Sequence, residues 1–493
     1  MTSKRNHRLI YDRTIPGHRG YDLPACDVPE RPVDELIPRD LVRGQAPVLP
    51  QVHEPEVVRH YIRLSTLNHH VDKAVYPLGS CTMKYNPKIN EDLAGIPALA
   101  GLHPMAPEEL SQGLLGLLHQ FSRELVEIVG MDAVSLHPAA GAQGELLGIR
   151  LARAYHDHRG NKKKTVIIPD SAHGTNPATA HMIGYEVVEV KSGPTGKLDL
   201  AALREKVNGE TAALMVTNPN TLGLFETEIA EAARIVHDVD GLLYLDGANL
   251  NAMLGLTRPG DMGADIVHIN LHKTFSTPHG GGGPGSAPIA VKAKLAPFLP
   301  TPTIAERDGR FFLDFDHPHS VGRLAPYVGA VGILLRAFAY LRRIGGNGMA
   351  GVSRAAIVNA NYLMKQVAED YPVAYPGPCM HEFVVSCSWM KKHGVKNIDV
   401  AKRMLDFGVH APTVSFPLIV PDCLMIEPTE SESRASLDEL ATILRTIARE
   451  AREEPDTVRG APHDTPVRRL DEGAAARNLQ IRWTPREGTE KER

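Results

Sequence analysis

The stretch that decides the fold reads Leu242-Leu-Tyr-Leu-Asp-Gly-Ala-Asn249, and Asp265-Ile-Val-His-Ile-Asn-Leu-His-Lys273 follows it closely. The first begins with a continuous apolar run, and Val166-Ile-Ile168 repeats this pattern upstream. Strands that are buried on both faces of a sheet have such a composition. Segments with the apolar spacing of helices, at 143–156 and 226–237, separate the strand-like runs. The alternation predicts an α/β fold with a mostly parallel sheet flanked by helices.

The pattern divides the chain into four predicted regions. Residues 107–326 hold the alternating segments and form the large domain, and 327–453 form a smaller α/β domain. Residues 1–106 are rich in proline and charge and are expected to form an N-terminal arm and loop region. Residues 454–493 are polar and rich in arginine, and they predict a tail.

The composition argues against several classes of protein. The 493 residues carry 54 Lys and Arg against 58 Asp and Glu, a net charge of −4, which favours neither a nucleic-acid nor a membrane partner. No apolar run reaches the roughly 18 residues that a membrane-spanning helix needs. The five cysteines form no C-x-x-C pair, which predicts reduced thiols and a cytoplasmic location.

Lys273 is the strongest candidate for a catalytic residue, because a predicted strand delivers it into a loop. A lysine at a strand exit can lie beside a ligand, lose its proton and attack a carbonyl, as Schiff-base lysines do. The glycines at 280–283 would let the backbone approach a flat ligand closely. The glycines of a P-loop precede its lysine, and a zinc protease needs Glu after its first His where this chain has Ile269. Taken alone, the segment also fits a surface lysine beside a flexible loop.

Four more candidates follow predicted strands. Asp246 could pair with a pyridinium nitrogen and keep it protonated, and His173 could stack on a pyridine ring. Thr221, in Asn218-Pro-Asn-Thr-Leu-Gly223, could bond a phenolic oxygen. A predicted helix N-terminus offers backbone N–H groups to a phosphate from Gly141, Ala142 and Gln143.

Each candidate has a plain structural alternative, such as a capping aspartate, a loop histidine or an ordinary strand-to-helix turn. Their common position is more informative than any one of them. All lie at the carboxyl ends of strands of one predicted sheet, which is where ligands bind in open α/β folds. The set therefore predicts a pyridoxal 5'-phosphate site with the cofactor held as a Schiff base on Lys273.

The chain also carries motifs of a known family. They are Tyr76-Pro-Leu-Gly-Ser-Cys-Thr-Met-Lys-Tyr-Asn-Pro87, Pro138-Ala-Ala-Gly-Ala-Gln-Gly-Glu145, Asp170-Ser-Ala-His-Gly-Thr-Asn-Pro177, His272-Lys-Thr-Phe275 and Met425-Ile-Glu-Pro-Thr-Glu-Ser-Glu432. Together they resemble the P-protein of the glycine cleavage system, glycine dehydrogenase (decarboxylating), in the split form whose subunit 2 carries the cofactor. The first and last motifs are specific to that family, whereas the lysine segment is shared more widely among pyridoxal enzymes.

The resemblance implies an aspartate-aminotransferase-like fold, called fold type I, with Lys273, His173 and Asp246 as the cofactor lysine, stacking ring and ring-nitrogen acid. It implies decarboxylation of glycine, with release of CO2 and transfer of the aminomethyl group to the lipoyl arm of H-protein. It also implies a P-protein subunit 1 as partner in an α2β2 heterotetramer. Lys273 and His272 are the expected proton carriers. Arg323 is a candidate for binding the glycine carboxylate, but its sequence context favours a salt-bridged structural arginine.

Three other functions remain open from the residues alone. One is a pyridoxal-phosphate decarboxylase that acts on another amino acid without a carrier protein. The second is a catalytically silent scaffold subunit, which would have no need of Lys273. The third is a metal hydrolase that uses some of the 23 histidines, and it would be inhibited by chelators.

Overall fold

The computed structural model describes residues 9–45, 47–280, 285–479 and 481–483. It divides into two compact units, one of residues up to 70 and from 464 onward, the other of residues 71–463. The strands are β1 (Ala133–Ser135), β2 (Thr165–Pro169), β3 (Glu186–Val190), β4 (Thr211–Thr217), β5 (Leu242–Asp246), β6 (Ile266–His268), β7 (Ile289–Val291), β8 (Thr303–Arg307), β9 (Arg310–Asp314), β10 (Phe383–Ser386), β11 (Thr413–Val414) and β12 (Cys423–Ile426).

The α-helices are α1 (Val33–Leu36), α2 (Glu54–Leu67), α3 (Lys88–Ala94), α4 (Pro97–Ala100), α5 (Glu108–Val129), α6 (Gly141–His158), α7 (Thr175–Met182), α8 (Leu200–Lys206), α9 (Ile229–His237), α10 (Val331–Val367), α11 (Asn397–Asp406), α12 (Arg434–Glu453), α13 (Pro455–Gly460) and α14 (Glu472–Arg477). Short 3₁₀ helices occur at Ile10–Arg13, Arg39–Leu41, Pro259–Met262, Ala293–Phe298 and Ser388–His393. Among the described residues, no helix is long and apolar enough to cross a membrane.

A seven-stranded sheet is the centre of the larger unit, with the strand order β1-β7-β6-β5-β4-β2-β3. Neighbouring strands from β6 to β3 are parallel, so the predicted mostly parallel α/β sheet is confirmed. The exception is β7, which lies antiparallel between β1 and β6. Its direction follows from its connection, because the described residues between β6 and β7 contain no crossover helix that could bring the chain back for a parallel strand.

The sheet is buried on both faces, as its apolar runs predict. Alternate residues of β5 enter different cores: Leu243 and Leu245 pack in one apolar cluster, and Leu242 and Tyr244 in the other. Helix α5 supplies Phe121 to the first cluster, and α6 supplies residues to the second. Because successive side chains of a strand point to opposite faces, a fully apolar run requires cover on both sides.

A second sheet has the order β10-β12-β11 and is antiparallel. Its core receives apolar side chains from α10, α11 and α12, with Val458 of α13 also buried in it. Helix α10 is interrupted at Gly345 (φ 63°, ψ 173°), a conformation that favours glycine. The hairpin of β8 and β9 lies near the end of the region predicted as the large domain. The domain boundaries at 106, 326 and 453 stay predictions.

The smaller unit is sparse in regular structure. Its longest helix is α2, and many of the unit's apolar side chains are exposed to solvent, among them Tyr21, Leu23, Leu41 and Ile62. In the described part of this unit, Tyr11 stacks on Trp483 with ring centroids 4.5 Å apart.

Candidate active site

A cavity of ≈330 Å³ lies at the carboxyl ends of the parallel strands. Residues that follow β2, β4, β5 and β6 line it, together with the start of α6, the loop at 79–81 and the two residues before β10. It contains Lys273, the lysine predicted to hold the cofactor. Another cavity of ≈470 Å³ lies beside α5, but the described residues that line it include no lysine.

The loop that carries Lys273 is fixed by hydrogen bonds on both sides of that residue. The backbone N–H of Lys273 donates to the Asn270 carbonyl (3.1 Å), and the Thr274 hydroxyl accepts from the Leu250 N–H (2.9 Å). The buried ammonium of Lys84 donates to the Thr274 carbonyl (2.8 Å). Among the described residues, the Nζ atom of Lys273 makes no hydrogen bond or salt bridge, so its amine is available to a ligand in the cavity.

Asp246 ends β5 and is almost fully buried beside the cavity. Burial alone would raise its pKa, but His268, the N–H of Ala248 and Lys273 together hold the pKa of Asp246 below its usual value. Nε2 of His268 lies 3.4 Å from an Asp246 oxygen, and its Nδ1 bonds the Tyr244 hydroxyl at 2.6 Å. Asp246 is therefore ionised and suited to pair with a protonated ring nitrogen.

His173 and the start of α6 lie at the same cavity. His173 is partly exposed at the cavity, its Nδ1 accepts from the Thr175 N–H (3.2 Å), and its ring lies 5.7 Å from the Phe416 ring in an edge-to-face arrangement. Burial and Lys273 lower the pKa of His173 against the opposing effect of Asp246, which keeps the ring neutral.

The predicted phosphate loop coincides with the N-terminus of α6, which begins at Gly141 with no side-chain cap. Gly141 and Ala142 line the cavity. A Cβ atom on Gly141 would lie 2.9 Å from the Asn270 amide, so a larger residue there would have to displace the Asn270 side chain. Gln143 lies outside the cavity lining, where its side chain accepts from the Ala139 N–H at 2.8 Å. Free backbone N–H groups at a helix start form an anion site.

The remaining predicted residues are also placed. Thr221 lines the cavity and donates its hydroxyl proton to the Ser171 carbonyl, which leaves its oxygen only as an acceptor. Burial and Lys273 lower the pKa of His272 to about 3, so its ring is neutral at physiological pH. Arg323 lies over the Phe315 ring and outside the cavity lining. Of the glycines at 280–283, residues 281–283 lie outside the described residues.

Sequence reasoning missed three acids and a histidine at this site. Glu145 is buried on α6, and burial together with Asp246 raises its pKa to about 8. His381 and Glu382 line the cavity from the residues just before β10, and Glu427 follows β12 beside them. Glu145 and Glu427 lie inside two of the family motifs, but His381 and Glu382 lie in no motif that marks them.

The loop at 79–82 is held by two of these acids. Ser80 and Thr82 both have positive φ angles, 67° and 51°. The Ser80 N–H donates to Glu382 (2.6 Å), and the Thr82 N–H donates to Glu427 (2.8 Å). Strained backbone of this kind persists only where its surroundings enforce it, and the two carboxyl groups do so here. Ser80 and Cys81 line the cavity, whereas Thr82 is turned toward Glu427.

These residues fit pyridoxal 5'-phosphate. The cavity presents an amine for the aldehyde and an ionised carboxylate for the ring nitrogen. For the phosphate it presents a helix start that has no side-chain cap and begins at Gly141. Solved structures show the same architecture. A glycine decarboxylase (P-protein) of the glycine cleavage system, in inhibitor-bound form, matches with a TM-score of 0.72 at 20% identity, covering 84% of this chain and 94% of that one. The cysteine desulfurase CsdA from Escherichia coli matches with a TM-score of 0.59 at 14% identity, covering 77% and 95%. The chain therefore has the fold type I architecture of pyridoxal-phosphate enzymes.

Its sequence relatives define the family more narrowly. The family described as "Glycine cleavage system P-protein" matches residues 32–306, and "Glycine dehydrogenase, C-terminal domain" matches 352–466. A "Probable glycine dehydrogenase (decarboxylating) subunit 2" from Caldanaerobacter subterraneus subsp. tengcongensis is 53% identical over 98% of this chain and 99% of its own. Another from Desulforamulus reducens is 55% identical over 97% and 99%. The chain belongs to the glycine cleavage system P-protein family, whose cofactor is pyridoxal 5'-phosphate.

Proposed function

We propose that this chain is the cofactor-carrying subunit of a glycine dehydrogenase (decarboxylating). It decarboxylates glycine, releases CO2 and transfers the aminomethyl group to the lipoyl arm of H-protein. The observation that carries the proposal is the convergence of Lys273, Asp246 and His173 on one cavity, in a chain that is 53% identical to a subunit 2 over nearly its whole length.

Different residues of the chain bind different parts of the cofactor. Lys273 is the covalent anchor, Asp246 keeps the ring nitrogen protonated, and His173 covers one face of the ring. The start of α6, with the N–H groups of Gly141, Ala142 and Gln143, binds the phosphate. Thr221, whose hydroxyl oxygen can accept a hydrogen bond, would bond the phenolic group of the cofactor. When bound, pyridoxal 5'-phosphate supplies the electron sink that lets the bond to a substrate carboxylate break.

Proton transfer falls to residues around the Lys273 amine. With its amine free, Lys273 would carry a proton within the cavity. His272 adjoins it with a neutral ring that can accept a hydrogen bond at Nδ1, an atom that is buried and without a partner among the described residues. A decarboxylase for a larger amino acid is the alternative, and the relatives of this chain do not favour it.

Carboxyl-labelled glycine tests the activity. The chain, with its partner chain and cofactor, is expected to release labelled CO2 only when lipoylated H-protein is present. Release from another amino acid without H-protein would support the alternative. Borohydride reduction followed by peptide mapping locates the anchor, and a pyridoxyl group on any lysine other than Lys273 would overturn the site assignment.

We further infer a partner chain, subunit 1, in an α2β2 heterotetramer with no nucleic acid or membrane component. The name "subunit 2" of the relatives supports a second kind of subunit. The exposed apolar side chains of the smaller unit, such as Tyr21 and Leu23, are suited to burial against another chain. Light scattering of the co-expressed chains measures the stoichiometry, and a monomeric chain in the presence of subunit 1 would contradict it.

We also infer a cytoplasmic location. All five cysteines are free, and three of them, Cys379, Cys387 and Cys423, are buried thiols. Unpaired cysteines are typical of a reducing compartment. Fractionation of cells that express the tagged chain would test this, and recovery outside the cytoplasm would contradict it.

A further inference from the structure

Two buried carboxyl groups face each other at the edge of the second sheet. Glu382 precedes β10 and Glu427 follows β12, and these strands pair antiparallel with Phe383 opposite Ile426. The register therefore places the two glutamates side by side. They are 3% and 0% exposed, and one ligand atom of each lies within 4.8 Å of the other and of a ring nitrogen of His381.

The two groups are hydrogen-bonded unequally. Glu427 accepts three bonds, from the Thr82 N–H (2.8 Å), the Thr82 hydroxyl (2.6 Å) and the Asn249 amide (3.1 Å). Glu382 accepts one, from the Ser80 N–H (2.6 Å). Donors stabilise the charged form of a carboxyl group, and two carboxylates this close cannot both ionise readily. Burial raises the pKa of both groups, but the additional donors favour the charged form of Glu427, so Glu382 is the member that keeps its proton.

Among the described residues, the nearest histidine does not take that proton. His381 lies 3.7 Å away, but burial and Lys273 lower the pKa of its ring to about 3, so it does not act as a base at neutral pH. The other titratable groups that face Glu382 are Lys273, Cys81 and Cys379. Burial and Glu427 raise the pKa of Glu382 well above its usual value, against a smaller opposing effect of Lys273.

Only Glu382 of this pair lines the cavity that contains Lys273. We propose that Glu382 is a catalytic general acid, which protonates the sulfur released when the lipoyl disulfide opens. This inference rests on the proposed function and adds to it a residue that donates the last proton.

The step balances without a further reactant. The bond between the α-carbon of glycine and its carboxylate breaks, and the electron pair stays with the carbon. That carbon attacks one sulfur of the lipoyl disulfide, so a C–S bond forms, the S–S bond breaks and the disulfide is reduced. The second sulfur leaves as a thiolate and takes the proton of Glu382. Glu382 regains a proton from the next glycine ammonium, which must lose one before its amine can react.

The test compares Glu382→Gln with Glu432→Gln, a control in the same family motif as Glu427 but outside the cavity lining. Glutamine can still accept the Ser80 N–H bond, so the loop at 79–82 is preserved. General acids contribute roughly 10²- to 10⁴-fold, so H-protein-dependent CO2 release by Glu382→Gln is expected to fall at least ~10²-fold. Its KM for glycine and its glycine-induced absorbance change should stay within about twofold of wild type, because binding precedes the proton transfer.

Infrared spectroscopy of the cofactor-free protein gives a second readout. At neutral pH buried Glu145 also carries a protonated carboxyl group, so each variant is compared with wild type by difference spectroscopy. The difference spectrum of Glu382→Gln should show the loss of one carbonyl band of a protonated carboxyl group, and that of Glu427→Gln should show no such loss. A carbonyl band of unchanged intensity in Glu382→Gln relative to wild type, or CO2 release by that variant at the wild-type rate, would overturn the assignment. If wild type itself releases no CO2 with H-protein, the proposed function fails, and the infrared result still decides where the proton lies.

Discussion

Replacing Lys84 by methionine should loosen the Lys273 loop from a distance. The side chain of Lys84 is 2% exposed, and its ammonium has four partners: Glu430 (2.6 Å), the Thr274 carbonyl (2.8 Å), Asn251 (3.1 Å) and the Tyr340 hydroxyl (3.3 Å). Lys84 and Glu430 belong to the two family-specific motifs, so this ion pair joins those motifs beside the cofactor lysine.

The size of the effect follows from the burial of the pair. Removing one partner of a buried ion pair costs about 3–5 kcal/mol, because the other charge is left without compensation. Glu430 is 13% exposed and keeps its bond from the Asn251 amide (2.9 Å), so the lower end, about 3 kcal/mol, is expected for Lys84→Met. Loss of the bond to the Thr274 carbonyl should also weaken cofactor binding about tenfold, equivalent to ~1.4 kcal/mol.

Urea unfolding and a cofactor titration measure these quantities. Lys88→Met is the matched control, because Lys88 lies four residues further along and pairs with Asp72 (2.7 Å) where both side chains are well exposed. Such a surface pair contributes at most ~1 kcal/mol. The double variant Lys84→Met/Glu430→Gln should recover part of the lost stability. If the free energy of unfolding of the single variant Lys84→Met is no lower than that of Lys88→Met, the reasoning is refuted.

Three further predictions concern the cavity. Lys273→Ala should lose the cofactor absorbance and all detectable CO2 release, and a variant that stays yellow after dialysis would contradict this. Gly141→Ala should weaken cofactor binding about tenfold or more, because the added Cβ would lie 2.9 Å from the Asn270 amide; fluorescence titration measures it, and unchanged affinity would show that the loop yields. The raised pKa of Glu145, about 8, should make the free energy of unfolding of the cofactor-free protein decrease as the pH rises from about 4.5 to about 8. Urea unfolding across that range measures the slope, and a Glu145→Gln variant that keeps the same slope would assign it to another group.

The sequence predicts the parts of the fold and site that depend on local pattern. Asp246 ends an apolar strand-like run and Lys273 lies in the loop after another, so their position at the carboxyl edge follows from alternation alone. The direction of β7 could not be predicted this way, since it depends on whether the intervening segment forms a helix. The pairing of Asp246 with His268 across β5 and β6 needs the strand register, which no local pattern supplies.

Long-range contacts explain the residues that were missed. Glu382 and Glu427 meet only because β10 and β12 pair antiparallel, and His381 reaches the cavity through the same contact. The spacing of residues near each glutamate does not predict a strand partner that lies about forty residues away in the chain. The family motifs include Glu427 and Lys84. They do not indicate that Glu382 and Glu427 together hold the loop at 79–82.

The antiparallel strand β7 has a consequence for how the enzyme loses activity. The N–H groups of Ile269 and Leu271 donate to the carbonyls of Pro288 and Ser286 (3.0 Å each), which continues the pairing of β6 and β7 to within two residues of Lys273. The segment just before the reactive lysine is thus hydrogen-bonded to the neighbouring strand, and the N–H groups of Ile269 and Leu271 can exchange with solvent only when the two strands separate. Heat inactivation should consequently coincide with global melting, and deuterium uptake at 269–271 should be among the slowest in the chain.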